Sequence, residues 1–581
     1  MKIALIGAEL EENLGLRYIA SALEANGHFV EIFPFNSEED TSAVIRNVLK
    51  YEPSIVGLSM VFTGRAREFC RLAKNLREFG CSSHIVAGGH FASFNCERLL
   101  IEYPSFDSVA VGEGEDLMCA LADHLDNIAT VPGLCYRGED GKVTINPGGN
   151  RENLDSLPFP KRGQFHDYFG KRIGSILSSR GCWRNCAFCS INAWYKKAGG
   201  KKFRYRSVDN IVAEMKQLYF DYNVRIFNFQ DDTFFLPNQI QATNRFRTLR
   251  QGLKDQKVDN ICIAIKARPD SINREAIEIL DDLGLFRVFL GVENASTHGL
   301  KDLNRRQTIE DIMQALEILN SFDVHVAYNF LMFEPDTTME DILKNIRFME
   351  RHLENPFNFC RAEAYAGTGL ESTLRAEGRL LGSYFGFDYR LKDPKCELFH
   401  QIANHAFFER NFSDFGLHYF NMQVDFYYQL MRRFYPNLLS ETLRSQVRAF
   451  IKQTNLDTHH WLCQIYDFMQ TEEYNEETIA SFSREMRQNV DMRSAELRSQ
   501  GESIINWMEE AFKRQIKITG LNRLVTPVQI KTAFQESEAE QITPLQTRTS
   551  CPGMSVIDLF GLSSNTVPYN VFKKKMEEDG R

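Results

Sequence analysis

Apolar and polar positions in the first 150 residues switch repeatedly between two periods. Residues 2–8, 29–33, 55–61, 85–89 and 109–112 are short, almost continuous apolar runs, the pattern of strands covered on both faces. Between them, residues 14–25, 41–51 and 65–79 carry apolar side chains at helical spacing, and Asn26-Gly27 closes the first of these helices. Repeated strand–helix units predict a parallel sheet with helices on both sides, a doubly wound, Rossmann-like α/β domain. Ligands on such sheets bind beyond the carboxyl ends of the strands. Those ends carry Ser59 to Thr63, Gly88-Gly89-His90 and Gly112-Glu113-Gly114-Glu115.

The pattern then breaks and resumes. Residues 131–137 and 143–146 flank Gly138-Glu139-Asp140-Gly141, a hairpin signal. Asn146-Pro147-Gly148-Gly149-Asn150 interrupts structure, and the prolines of Leu157-Pro158-Phe159-Pro160 hold the chain extended. A first domain over 1–150 and a linker over 151–170 follow. Strand runs return at 173–178, 224–229, 261–265, 287–292, 324–332 and 358–364, with helical spacing at 208–220, 275–283 and 309–322. Six such units predict an open partial (β/α)6 barrel over 171–395, with its site at the strand C-termini. Residues 396–581 read as mainly α-helical. The aromatic-rich stretch 399–435 is expected either to cover the barrel mouth or to form an ordinary helical core.

Composition narrows the class. At 581 residues, 43% hydrophobic and 25% charged, the chain has the make-up of an ordinary globular protein of two or three domains. A net charge of −9 argues against a nucleic-acid surface. The start, Met1-Lys2-Ile3-Ala4-Leu5-Ile6-Gly7, reads as a strand, not as a signal peptide, and no apolar run is long enough to span a membrane. Thirteen cysteines without a secretory signal point to a reducing, cytoplasmic setting.

Three of those cysteines carry the chemistry. Cys182, Cys186 and Cys189 lie at C-x₃-C-x₂-C spacing just after the run 173–178. No partner pair follows, as a zinc knuckle would need, and a disulfide framework belongs to small secreted chains. Three thiolates on one loop suit three irons of a [4Fe-4S] cluster and leave the fourth iron open. Cys551 is isolated, so a second cluster has no spacing to support it.

The cysteine loop, with Phe188 before its third cysteine, resembles that of the radical S-adenosylmethionine (SAM) enzymes. Asn13-Leu14, Gly27-His28, Gly88-Gly89-His90 and Gly112-Glu113-Gly114-Glu115 together resemble the cobalamin-binding domain found in one large class of them. The resemblance implies a [4Fe-4S] cluster, SAM and cobalamin. It implies SAM contacts from Phe188, Asp231, Asp232, Arg268 and Glu293, the two aspartates not being separable by sequence. It implies cobalamin contacts from Asn13, Leu14, Ser59, Thr63, Arg65, Gly88, Gly89, His90, Gly112, Glu113, Gly114 and Glu115. The loop after the first strand, Ala8 to Asn13, lacks the histidine that cobalamin mutases place on cobalt, so no histidine is expected below the metal.

Two stretches depart from the family pattern: Phe333 stands where a glycine is usual, and Ala364 to Thr368 lacks a proline turn. Tyr328, Glu363 and Tyr365 are expected to line the substrate side or to pack the barrel. The implied activity is methylation of an unactivated carbon in a small-molecule or peptide substrate through a 5′-deoxyadenosyl radical. An external donor such as flavodoxin or ferredoxin would supply electrons. The alternatives are a non-methylating cyclisation or ring contraction, and a cobalamin- or redox-responsive binding protein.

Overall fold

Two seven-stranded sheets organise the chain. The computed structural model describes residues 1–519 apart from 414 and 472–474, so Cys551 and the polar stretch 531–550 lie outside the described residues. The first sheet contains β1 (Lys2–Gly7), β2 (Phe29–Pro34), β3 (Ile55–Ser59), β4 (His84–Gly88), β5 (Ser108–Ala110), β6 (Leu134–Arg137) and β7 (Val143–Ile145), in the order β2-β1-β3-β4-β5-β6-β7. β1 to β5 pair in parallel. The expected hairpin is β6–β7, and it extends this sheet antiparallel from β5. Ile3, Ala4, Leu5 and Ile6 are buried, as a strand covered on both faces requires.

The second sheet is the half-barrel. β8 (His166–Tyr168) and β9 (Lys171–Ile176) are joined through Phe169 and Gly170, both left-handed at φ 49° and 69°. After β9 a small ribbon, β10 (Ser179–Gly181) and β11 (Phe203–Tyr205), frames the cysteine loop. β12 (Val224–Phe229), β13 (Cys262–Ala267), β14 (Leu285–Glu293), β15 (His325–Phe333) and β16 (Phe357–Arg361) complete the order β16-β15-β14-β13-β12-β9-β8. β9 and β12 to β16 are the six expected parallel strands. A last hairpin, β17 (Leu380–Ser383) with β18 (Gly386–Tyr389), stands apart.

Helices form most of what is described beyond residue 394. Helix Pro394–Phe412 lies along edge strand β16, where Phe399 meets Phe333 and Phe407 meets Phe359 at ring centroids 5.9 and 5.1 Å apart. This explains Phe333 in place of glycine: its ring fills that core. Helix Leu417–Phe434 does not cover the barrel mouth. It closes the opposite end, where Phe426 meets Phe286 near the start of β14 at 5.2 Å and Asp425 meets His325 at the start of β15 at 2.6 Å. The apolar side chains Ile226, Cys262, Phe286 and Ala327 need cover there, and this helix supplies it.

A buried ion cluster ties the two sheets together. Arg162 reaches Glu12 of the first at 3.1 Å and the Ser175 carbonyl of β9 at 2.9 Å, and it pairs with Glu214, as does Arg206. The Ser175 amide in turn donates to Glu12 at 2.7 Å. Such a cluster stands in a dry interior only because its charges satisfy one another.

Candidate active site

The carboxyl ends of the two sheets face one cavity of about 440 Å³. From the first sheet Asn13, Leu14, Ser59, Gly88, Gly89, His90, Gly112, Glu113, Gly114 and Glu115 line it; from the barrel come Arg180, Asp232, Lys266 and Phe289. Thr63 and Arg65 are not in its wall. Arg65 turns away, donating to the Phe35 carbonyl and to Glu68, both at 2.9 Å, and lying over the Phe35 ring.

The glycines act differently from one another. Gly89 is left-handed at φ 95°, and a Cβ there would come within 2.9 Å of the Met60 backbone. A Cβ on Gly112 or Gly114 would strike Ala198 or Ile19 at 2.6 or 2.5 Å. These residues are small because protein packs against them, not because a ligand does. Gly88 alone of the four has room, its nearest neighbour being Ala110 at 3.7 Å.

Glu113 and Glu115 are committed to arginines. Arg180, just before the cysteine loop, donates to Glu113 at 3.0 Å and to Glu115 at 2.6 Å, and Arg204 adds bonds to Glu113 at 2.7 and 2.9 Å. Burial raises the Glu113 carboxyl, but Arg204 and Arg180 outweigh it and the net shift is downward. The reading of residues missed Arg180, although it immediately precedes Gly181-Cys182. It also missed Trp194, whose ring stacks on His90 at 4.7 Å. Burial lowers His90 to about 4, so the imidazole is neutral.

The loop 8–13 is pinned without a histidine. Glu9 pairs with Arg17, Glu12 with Arg162, and Gln230 donates to Glu11 at 3.2 Å. Asn13 caps helix Leu14–Ala25, accepting from the Leu16 amide at 3.2 Å. His28 and His84 lie elsewhere, beside Asp123 and Ser108 at 3.5 and 2.7 Å.

On the barrel side the structure separates the two aspartates. Asp231 is fully buried and accepts from the Ser178 amide at 3.1 Å and from the Ser178 and Ser179 hydroxyls at 2.7 and 2.5 Å. Its oxygens are used within the protein. Asp232 opens on the cavity near Lys266, with the Gly181 amide donating to it at 3.0 Å. Gly181 cannot be otherwise: at φ 83°, a Cβ would lie 1.8 Å from the Lys202 carbonyl oxygen.

Cys182, Cys186 and Cys189 are unpaired and partly exposed, and Phe188 packs its ring on the barrel core. Burial first, and then the neighbouring cysteines and Asp232, push the Cys189 thiol upward. The segment after helix Thr297–Asp302 holds the loop: the Leu303 carbonyl accepts from the Ala187 amide at 2.9 Å, and Asn304 donates to the Asn185 carbonyl at 2.6 Å. Arg268 donates to Asp270 at 2.9 Å and approaches Cys186 Sγ at 3.7 Å; Arg305, missed in the sequence, approaches the same sulfur at 3.4 Å. Glu293 is left-handed at φ 65° beside a register shift in β14, and it lies 3.6 Å from Arg305.

Tyr328 is fully buried among Phe330 and Phe357, so it is barrel packing. Tyr365 donates a short hydrogen bond to Glu363, whose carboxyl burial raises to about 7. Their loop touches both halves: the Leu370 amide donates to the Ala187 carbonyl at 2.8 Å, and Gly367 lies against Phe94 of the first domain.

Comparison with known proteins now bears on this arrangement. Residues 176–349 match the radical SAM superfamily, and residues 7–122 match the B12 binding domain. The chain belongs to the cobalamin-dependent radical SAM enzymes.

It is 28% identical over 398 residues to an uncharacterized methyltransferase of Pyrococcus horikoshii, covering 67% of this chain and 83% of that one. The hopanoid C-3 methylase of Methylococcus capsulatus is 28% identical over 393 residues, 66% of this chain and 71% of the relative. The fold matches the cobalamin-dependent SAM radical enzyme OxsB with TM-score 0.65 at 18% identity, covering 90% of this chain and 81% of that one. It also matches the radical SAM methyltransferase TsrM of Kitasatospora setae with TM-score 0.55 at 18% identity, over 65% and 75% of the two chains.

Membership brings a [4Fe-4S] cluster, SAM and cobalamin, and the residues present suit them. The cavity size is ordinary for an organic ligand, and its wall includes Trp194, whose buried indole N–H has no partner among the described residues. The unpaired cysteines with guanidiniums beside one sulfur suit an anionic thiolate cluster. No helix among the described residues is long and apolar enough to cross a membrane.

Proposed function

We propose that the enzyme methylates an unactivated carbon of a small-molecule or peptide substrate. The observation that carries this reading is the single cavity lined by both sheets, with Asp232 and Lys266 on one wall and Gly88, His90 and Trp194 on another. When bound, the cluster with SAM supplies a 5′-deoxyadenosyl radical and the cobalamin supplies a methyl group. The chain's part is to hold these groups face to face and to exclude water that would quench a radical.

Cys182, Cys186 and Cys189 ligate three irons. Asp232 and Glu293 hold the SAM amine or ribose, Phe188 flanks it, and Arg268 takes its carboxylate. Asp231 acts one step back, by fixing Ser178 and Ser179 beneath the cysteine loop. Cobalamin lies against Asn13, Leu14, Ser59, Gly88, Gly89 and His90, with Trp194 offering its N–H. Glu113 and Glu115 act through Arg180, locking the two halves in register. Residues 1–150 form the cobalamin unit, 171–395 the radical unit, and the described part of the chain from 396 the helical unit. The Glu363–Tyr365 pair, on the loop that bridges the halves, meets the substrate. A small electron-transfer protein of the flavodoxin or ferredoxin type delivers the electron in a reducing cytoplasm.

Anaerobic enzyme loaded with cobalamin, given trideuteromethyl SAM and a cell metabolite extract, tests the reading. A product bearing the trideuterated methyl group supports it. Formation of 5′-deoxyadenosine with a changed but unlabelled product overturns methyl transfer in favour of cyclisation or ring contraction.

A further inference from the structure

Two guanidiniums converge on one of the three cysteine sulfurs, and one of them is held at both of its terminal nitrogens. Arg305 Nη1 stands 3.4 Å from Cys186 Sγ. Its other terminal nitrogen donates to the Gly291 carbonyl and to Gln307 Oε1, the latter at 3.2 Å. Glu293 Oε1 lies 3.6 Å from the same Nη1. Gln307 is itself fixed, donating to the Val292 carbonyl at 3.0 Å, and its Oε1 also accepts from Arg268 at 3.3 Å. Arg305 is 5% exposed, so water does not screen its charge. Arg268 is bound elsewhere, to Asp270 and to the Arg305 carbonyl at 2.9 and 2.6 Å, and stands further from the sulfur at 3.7 Å.

A surface arginine would need none of this frame. A cation held against a thiolate at the edge of a cluster has a specific physical effect. Reduction adds one negative charge to the cluster, and a fixed positive charge with an N–H···S bond favours the more negative state. Hydrogen bonds to the sulfurs and local charge are among the levers that set such potentials. The segment before Arg305 also grips the loop, the Leu303 carbonyl accepting from the Ala187 amide and the Asn304 side chain donating to the Asn185 carbonyl at 2.9 and 2.6 Å, so the guanidinium and its target are held in register.

We propose that Arg305 is a positioning residue that raises the reduction potential of the cluster through its hydrogen bond to Cys186 Sγ. This rests on the reading that Cys186 ligates the cluster.

Wild type, R305K and R305M are prepared anaerobically, their iron and sulfide measured, and the cluster titrated redox-potentiometrically with electron paramagnetic resonance detection. R305M is expected to be about tenfold harder to reduce, a fall of about 59 mV for a one-electron couple. R305K, which keeps the charge but not the fork, is expected to fall between the two. R305M with a full cluster and an unchanged potential overturns the proposal while leaving the ligand reading intact; C186S that keeps a full cluster overturns the ligand reading itself.

Should R305M fail to hold a cluster, protein with ¹⁵N-labelled arginine guanidinium is reduced and examined by pulsed resonance. A weak ¹⁵N coupling that persists in R268K and disappears in R305K supports the proposal. A coupling untouched by R305K overturns it.

Discussion

The two sheets present opposite kinds of surface at their carboxyl ends. The first ends in glycines at β4 and beyond β5 whose smallness lets helices and loops close up, and its carboxylates, Glu12, Glu113 and Glu115, are committed to arginines of the chain beyond it. The second ends in ionisable side chains and sulfur: Cys182, Cys186 and Cys189 after β10, Asp231 and Asp232 after β12, Lys266 and Arg268 at β13, Glu293 at β14 and Glu334 after β15. Under the proposed function the first wall holds a large preformed group and the second steers charge beside a metal centre. The difference teaches that side-chain chemistry concentrates in the half where reactive species would form.

The largest effect should follow from removing sulfur. Replacing any one of Cys182, Cys186 or Cys189 by Ser is expected to empty the cluster site and to lower SAM cleavage at least about a thousandfold, the scale of a lost reactive group. Circular dichroism should stay unchanged, because these side chains are only partly buried and belong to no core cluster. An intact cluster in all three variants would break the contrast between the halves.

Next comes the joint between them. Glu214 bonds Arg162 and Arg206 with its side chain fully buried. E214Q leaves the buried Arg206 guanidinium without a carboxylate and Arg162 with Glu12 alone, a loss of about 3–5 kcal/mol. The urea midpoint should fall, and cobalamin retention should fall with it, since the cavity is made from both sides. A pair of glycines sharpens the comparison further. G181A forces a Cβ 1.8 Å from the Lys202 carbonyl oxygen and keeps a left-handed backbone, so a loss of about 1–3 kcal/mol and poor cluster assembly are expected. G88A meets nothing closer than 3.7 Å, so stability should hold while cobalamin affinity drops. Equal thermal midpoints for the two variants would refute this reading of their roles.

Legibility followed the same divide. The strands β1, β3 and β4 and the barrel strands β12 to β16 were readable because continuous apolar runs leave few alternatives. β8, β10 and β11 escaped, since each has three residues and no apolar pattern of its own; their pairing is imposed by neighbours. The cysteine spacing was visible, whereas the partition between Asp231 and Asp232 was not. It depends on which carboxylate Ser178 and Ser179 reach across from β9, a contact over 50 residues distant. Arg180 and Arg305 were hidden for the same reason, being ordinary arginines until Glu113 and Cys186 stand opposite them. Arg65 failed in the other direction: helix-start position suggested the cavity, but Glu68 and the Phe35 ring hold it away.

A last effect tests what a buried ionisable group at the barrel's strand ends costs in stability. Glu334 is fully buried after β15, and its carboxylate accepts from Asn294 at 3.2 Å. Burial raises its carboxyl from the ordinary 4.5 to about 8, with Asp341 and Asp302 adding to the shift; His298, beside both aspartates, is the nearby imidazole. Below about pH 4.5 the folded and unfolded chains both hold the proton. Between that pH and about 8 the unfolded chain releases it and the folded chain keeps it. The folded state then binds more protons, so stability falls as pH rises, by at most about 1.4 kcal/mol per pH unit. E334Q has no proton to lose, and its amide can donate toward the neighbouring carboxylates. Urea midpoints measured at intervals from pH 5.5 to 8 should therefore decline more steeply for the wild type than for E334Q, the two curves separating toward the alkaline end. Parallel curves would mean that Glu334 ionises in the fold, and that the barrel end tolerates this charge as readily as an exposed one.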